Sequence, residues 1–260
     1  MRISTWILHS GLHWLDRHGL CVWKRSSVPF GVQWTRDLQY FSQGRALAAV
    51  LDVGANVGQT ATELLANFPD CTVHCFEPVR ATFDVLRTAL AAAPRATLVN
   101  AALGEAVGTS EILSCEDSLR SSMAFGEVGE IAPGTERETV QVDTVDSYCE
   151  RHGIERLSLL KIDTEGFELP VLRGAERMLG DSRVDFVLAE CDFERRPDAP
   201  HGDFFELHRH LAPLGFAVVA FYTGGVDDCG WVWGDVLYVH RSAAVPGRVA
   251  MGSSATHRSS

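Results

Sequence analysis

From Ala46 onward the hydrophobic positions follow a repeating order, a short apolar run and then a stretch at helical spacing, which predicts parallel strands joined by helices. Ala49–Val53 is the first such run. Behind it Ala61, Leu64, Leu65 and Phe68 recur on one helix face, and Pro69 stops the helix because it has no N–H to continue the ladder. Thr72–Phe76 predicts the second strand, Ala81–Leu90 a helix buried through Phe83, Leu86 and Leu90, and Ala96–Asn100 the third strand.

The rhythm breaks between Leu103 and Glu138, where glycine, serine and acids replace a third clean helix. Short strands are expected at Glu111–Cys115 and Thr139–Val142, bracketing a loop that contains SLRSSMAFG, Ser118 to Gly126. A long irregular insertion in a compact domain is more often functional than accidental, so this stretch is the candidate substrate cover. The order resumes with a strand at Leu157–Ile162 and a helix from Glu168 to Leu179, with Pro170 in its first turn and Gly180 at its C-terminal cap. A strand at Val184–Ala189, a helix at Phe204–Leu211 and strands at Phe216–Phe221 and Asp235–His240 complete the pattern.

The expected organisation is a helical preface over 1–45, one domain over 46–242, and a disordered tail over 243–260 of small polar residues. A chain of 260 residues, 46% hydrophobic, can bury one full core. A net charge of -11 argues against a nucleic-acid partner, which needs a basic surface. Seven cysteines without a CxxC pair fit free thiols in a reducing cytoplasm. No apolar run approaches the ~18 residues of a membrane-spanning helix. Lys24 and Arg25 are the only close basic pair of the preface, so membrane association is not expected.

The candidate chemistry starts at LDVGANVGQT, Leu51 to Thr60. A glycine turn after a strand lets the backbone approach a ligand closely, but Asn56 stands where a dinucleotide binder places its middle glycine. Asp52 would repel a diphosphate and attract a ligand bearing an ammonium or sulfonium, and S-adenosylmethionine bears both. Glu77, at the end of the second strand and about 20 residues beyond the turn, stands where an acid accepts the hydroxyls of an adenosine ribose. A nicotinamide oxidoreductase shares the Glu77 requirement, and Asp52 with Asn56 argues against it. A cofactor-binding scaffold without turnover is a third reading.

LDVGANVGQTA (Leu51 to Ala61), FEP (Phe76 to Pro78), NAALG (Asn100 to Gly104) and LLKIDTEGFELPVLRGAERML (Leu159 to Leu179) together resemble the FkbM family of S-adenosylmethionine-dependent methyltransferases. The resemblance covers about Ala46 to His240, and KIDTEGFE is its most specific part. It implies an α/β class I methyltransferase (Rossmann-like) fold, a seven-stranded mostly parallel sheet with an antiparallel last strand and helices on both faces. It also implies O-methylation of a hydroxyl on a sugar, glycolipid or secondary metabolite. The cofactor contacts so implied are Asp52, Gly54, Ala55, Asn56, Gly58, Glu77, Asn100, Ala101 and Asp163.

An alcohol is a poor nucleophile until its proton is shared with a base or a metal, so acids are sought at the ends of the fourth and fifth strands. Asp163 is the first candidate, as base or ligand, with Glu190 and Asp192 next. Those three could also hold a hard divalent cation. Glu165 and Glu168 are open to a plainer role, favouring the N-terminus of the following helix through its dipole, and for Glu168 this is the expectation. His201, in the loop DAPHGD, could reach a substrate, whereas His208 and His210 are expected on a helix surface and His74 and His240 packed or capped. Trp231 and Trp233 are either core or a stacking wall for a sugar ring.

Overall fold

The computed structural model describes residues 28–115, 135–193, 202–228 and 230–243. The strands are β1 (Ala49–Val53), β2 (Thr72–Phe76), β3 (Ala96–Val99), β4 (Ala102–Leu103), β5 (Gly108–Cys115), β6 (Thr135–Asp143), β7 (Leu157–Ile162), β8 (Val184–Asp192), β9 (Phe216–Asp227) and β10 (Gly230–His240). The helices are α1 (Trp34–Ser42), α2 (Gln59–Asn67), α3 (Arg80–Ala89), α4 (Val145–Arg151), α5 (Glu168–Arg173), α6 (Glu176–Gly180) and α7 (Phe204–Leu211).

Seven strands form the main sheet in the order β3-β2-β1-β7-β8-β10-β9. β10 runs antiparallel to both β8 and β9, while the other pairings are parallel. This is the class I methyltransferase arrangement. The order follows from the apolar pattern: β7 is buried at every position, as a central parallel strand covered on both faces must be. One face packs Leu51, Leu160 and Val187 against α4 to α7, and the other packs Val50, Leu159 and Leu188 against α1 to α3. Four described cysteines, Cys71, Cys75, Cys149 and Cys191, are free and buried, and burial pushes their thiols up, away from reactivity.

Several elements differ from the sequence pattern, each for a tertiary reason. The single helix expected over Glu168 to Leu179 is broken into α5 and α6 around Gly174 and Ala175. A Cβ on Gly174 would lie 2.0 Å from the Gly104 carbonyl oxygen, and the Gly174 carbonyl accepts the Asp146 N–H, so packing against the chain outside the helix fixes the break. Gly180 is the last residue of α6, with Asp181 as its cap, and is not the cap itself. The last two strands are longer than expected and form an extended hairpin that includes Trp231 and Trp233. Helix α4, absent from the apolar pattern, is set by its N-cap, where the Thr144 side chain accepts the Ser147 N–H.

The insertion after β3 is a second sheet, β4-β6-β5, with the two expected short strands lengthened to eight and nine residues. The SLRSSMAFG segment lies outside the described residues, as do 1–27 of the preface and 244–260 of the tail. The described part of the preface is tied into the domain. Leu38 is fully buried against the core, and the equally buried Asp37 accepts hydrogen bonds from the Gly31 N–H and the Tyr222 hydroxyl of β9.

Gly174→Ala separates the two forces acting on the α5–α6 break. Helix propensity alone would favour alanine by about 1 kcal/mol. The clash with the Gly104 carbonyl predicts instead a loss of about 1–3 kcal/mol, read as a lowered urea midpoint. A raised midpoint would mean that the break is a propensity effect.

Candidate active site

Because β1, β2, β7 and β8 run in parallel, their carboxyl ends share one rim, and the loops leaving it face one another. A cleft of about 700 Å³, counted to its open mouth, lies over this rim. Gly54, Asn56, Glu77, Asp163 and Glu165 give it its polar wall, and Val79, Ala101, Leu103 and Ile112 its apolar one.

The glycine turn is held against the end of β7. Gly54 has φ +77°, and a Cβ there would fall 1.7 Å from the Asp163 carbonyl oxygen, so only glycine permits this approach. Asn56 is also left-handed, at φ +48°, a conformation asparagine tolerates. The N–H groups of Gly54 and Ala55 both donate to the Phe76 carbonyl, that of Asn56 to Glu77 Oε2 at 3.0 Å, and that of Gly58 to the Ala55 carbonyl. Four turn donors are therefore spent inside the protein, which removes the cradle a diphosphate requires.

Glu77 is 6% exposed at the cleft wall, with Oε2 on the Asn56 N–H and Oε1 on the Val79 N–H at 2.9 Å. A carboxylate has about four acceptor positions, so two remain for a pair of hydroxyls. Burial raises Glu77 to about 7, against the lowering effect of the two N–H groups. Asn100, an expected cofactor contact, is turned to the scaffold: its side-chain amide donates to the Glu77 and Pro78 carbonyls, both at 2.9 Å. Asn100 fixes the loop that carries Glu77, while its neighbour Ala101 lines the cleft.

Asp52, expected to attract a ligand's ammonium, lies deeper than that role suggests: its side chain is fully buried beneath the turn, and the cleft wall is formed by its neighbours Val53 and Gly54. Its partner is Lys161, whose Nζ lies 3.5 Å from Asp52 Oδ1, 2.9 Å from Asp163 Oδ2 and 3.5 Å from the Gly54 carbonyl. Burial alone would lower the Lys161 ammonium, but Asp163 and Asp52 outweigh it and hold the group above its ordinary range. One buried cation thus joins the strand that precedes the glycine turn, the turn itself and the acid at the end of β7. The sequence reading missed Lys161. The available signal was a lysine inside LLKI, an otherwise apolar run read as a strand, where a charge must find a partner.

On the acceptor side, oxygens of Asp163, Glu165 and Glu190 lie within 4.8 Å of one another. An all-oxygen donor set of this kind is the one that would suit a hard cation. The structure thus gathers Glu165, where Asp192 was the expected third acid. Asp192 is 3% exposed and opposite Trp233 of β10, with its N–H donating to the Gly202 carbonyl. Trp233 remains 36% and Trp231 47% exposed, and Trp231 packs near Phe193 and Phe221, so neither is a plain core residue.

The histidines divide. His201 lies outside the described residues. His208 is not on the helix surface: it is partly buried and stacks between Phe204 and Tyr238. His74 meets the Tyr148 hydroxyl at 2.9 Å, and His240 meets Ser242 and the Leu214 carbonyl, so both are structural.

The arrangement suits S-adenosylmethionine. Glu77 offers acceptors to a ribose diol, the apolar wall a slot for a flat base, and Asp163 and Glu165 negative charge toward the cationic end. Residues 52–218 match the methyltransferase FkbM domain. Methyltransferase 1 of Beauveria bassiana (strain ARSEF 2860) is 27% identical over 187 residues, which are 65% of this chain and 72% of that protein. Among solved structures, a TehB-like SAM-dependent methyltransferase from Corynebacterium glutamicum ATCC 13032 Kitasato is 10% identical, covering 90% of this chain and 96% of its own, with a TM-score of 0.42. TrmK of M. capricolum, in complex with S-adenosylhomocysteine, is 6% identical, covering 80% of this chain and 68% of its own, with a TM-score of 0.45. Both are loose likenesses of shape.

Hydroxyl donors need an ionised Glu77, and the group is raised to about 7. S-adenosylhomocysteine affinity should therefore weaken about tenfold per unit as pH falls below that point, and Glu77→Gln should flatten the profile. A flat calorimetric profile in the unaltered protein would remove Glu77 from binding. The stability sign is the reverse: protonated Glu77 favours the folded state at low pH, and this contribution disappears as pH rises through about 7. Separately, Lys161→Met leaves Asp52 and Asp163 without their cation and should cost about 3–5 kcal/mol in denaturant melts. Adding Asp52→Asn should restore part of that loss, and no restoration would argue against the ion pair.

Proposed function

The chain belongs to the FkbM methyltransferase family, and from that premise we propose that this S-adenosylmethionine-dependent enzyme is an O-methyltransferase whose acceptor is a hydroxyl of a sugar, glycolipid or secondary metabolite. The observation that carries the reading is the convergence of Asp163, Glu165 and Glu190 beside the cleft. An acceptor hydroxyl must lose a proton, and a neighbouring carboxylate is where that proton can go. The net charge of -11 supports a small acceptor over a nucleic acid.

When bound, the cofactor supplies a methyl group on a sulfonium, already activated for displacement. The protein's task is then alignment and proton removal. Glu77 holds the ribose hydroxyls. Asp163, whose Oδ2 meets the Lys161 ammonium at 2.9 Å, would hold the cofactor's cationic end at the cleft wall. Glu190, 7% exposed on the neighbouring strand, would be the base that receives the acceptor hydroxyl's proton, the methyl–sulfur bond breaking as the carbon–oxygen bond forms and neutral S-adenosylhomocysteine leaving. The half-exposed Trp233, on the strand beside Glu190 and opposite the buried Asp192, would offer its indole to an apolar ring face of the acceptor.

A panel of hydroxyl acceptors incubated with methyl-labelled cofactor provides the test. Label should enter at oxygen and withstand EDTA. Glu190→Gln should reduce transfer by about 10²–10⁴-fold while S-adenosylhomocysteine affinity holds. Label on nitrogen or in RNA would overturn the substrate reading, and unchanged transfer in Glu190→Gln would remove the base.

A further inference from the structure

Glu168 is fully buried, and its carboxylate does more than complement a helix terminus. Oε1 accepts three hydrogen bonds from the turn that follows β7, from the Thr164 N–H at 3.0 Å, the Thr164 hydroxyl at 3.0 Å and the Gly166 N–H at 3.1 Å. Oε2 accepts a fourth, from the Gly202 N–H at 2.7 Å. Gly202 lies 34 residues away, beyond the end of β8. The turn so held is one the backbone would not keep by itself, since Glu165 and Gly166 have φ of +53° and +108°.

The far arm leads to the acceptor side. The Gly202 carbonyl accepts the Asp192 N–H at 2.9 Å, Asp192 and Asp203 form an isolated β-bridge, and Asp203 caps α7 by accepting the Glu206 N–H. The near arm carries Asp163, Thr164 and Glu165, all on the cleft wall. One carboxylate therefore joins the cofactor side of the site to the strand end that bears Glu190 and Asp192.

We propose that Glu168 is a positioning residue that couples the turn at 163–166 to the segment at Gly202–Asp203, so that occupancy of the cofactor cleft fixes the acceptor-side acids in place. The coupling rests on the cofactor reading above and holds whichever acid is the base. A ligand touching Asp163 to Glu165 restrains the turn, the turn restrains the three donors on Oε1, and the shared carboxylate transmits that restraint to Gly202. The methyl donor would then order the acceptor site before the acceptor arrives.

The test is amide hydrogen exchange with and without saturating S-adenosylhomocysteine, with calorimetry on the same samples. In the unaltered protein, exchange at the amides of residues 202–207 should slow on ligand binding by about fivefold or more. In Glu168→Gln the amide nitrogen cannot accept the Gly202 N–H, so this ligand-dependent protection should vanish while affinity stays within about threefold. Gly202→Ala is the second variant, for the case that Glu168→Gln does not fold. Its Cβ would sit 3.0 Å from Oε2 and 3.4 Å from the Glu168 Cβ, so it pushes the carboxylate back from the Gly202 N–H and weakens the far arm. A merely structural Glu168 would alter absolute protection but leave the ligand-dependent difference intact. Persistence of that difference in either folded variant, or its absence in the unaltered protein although calorimetry records binding, overturns the coupling. Absence of binding in the unaltered protein would overturn the cofactor reading and the coupling together.

Discussion

One buried ammonium sits where the two most distinctive stretches of the chain meet. LDVGAN contributes Asp52 and the Gly54 carbonyl, KIDTEG contributes Lys161 and Asp163, and the contacts at 2.9 to 3.5 Å make them a single seam. Burial pushes the Asp52 carboxyl up, and the Lys161 ammonium works against that shift, so the acid's charge in this interior depends on the cation beside it. The glycine turn, the backbone approach of Gly54 to Asp163 and the acid at the cleft all inherit their positions from that pairing. Asp235, opposite Glu190, adds to the field that keeps the ammonium charged.

Above this seam the site is a gradient of exposure. Asp52 is fully buried, Glu77 and Glu190 nearly so, and the Asp163 side chain is 39% exposed. The deep acid organises the protein, and the shallower ones are left to meet ligands. Glu168 belongs with the deep set, although its influence extends along two loops. In Asp52 and Glu168 alike, a carboxylate near the ligand in sequence serves the ligand through another group.

The fold was legible because strand and helix periods alternate cleanly from Ala49 to Leu90 and again from Leu157 to Leu211. The strand ends then placed Glu77, Asp163 and Glu190 on one rim without further information. What stayed hidden depends on contacts that no local pattern carries. The break at Gly174 answers to a carbonyl 70 residues earlier in the chain. Asn100 has the chemistry to bind a ligand, and only the nearby carbonyls of Glu77 and Pro78 reveal that its donors are spent. For Asp52 the sequence pattern shows neither the burial nor the Lys161 ammonium beside it, because sequence gives a residue's place along a strand more readily than its depth.

The second sheet hangs from the main one at β4, whose two residues, Ala102 and Leu103, also line the cleft, together with Ile112 of β5. The side chains that would face the flat base are thus the root from which β5 and β6 grow. A change in the outer part of β5 and β6 therefore leaves the cleft wall in place, whereas a change at Ala102, Leu103 or Ile112 moves the wall and the second sheet together.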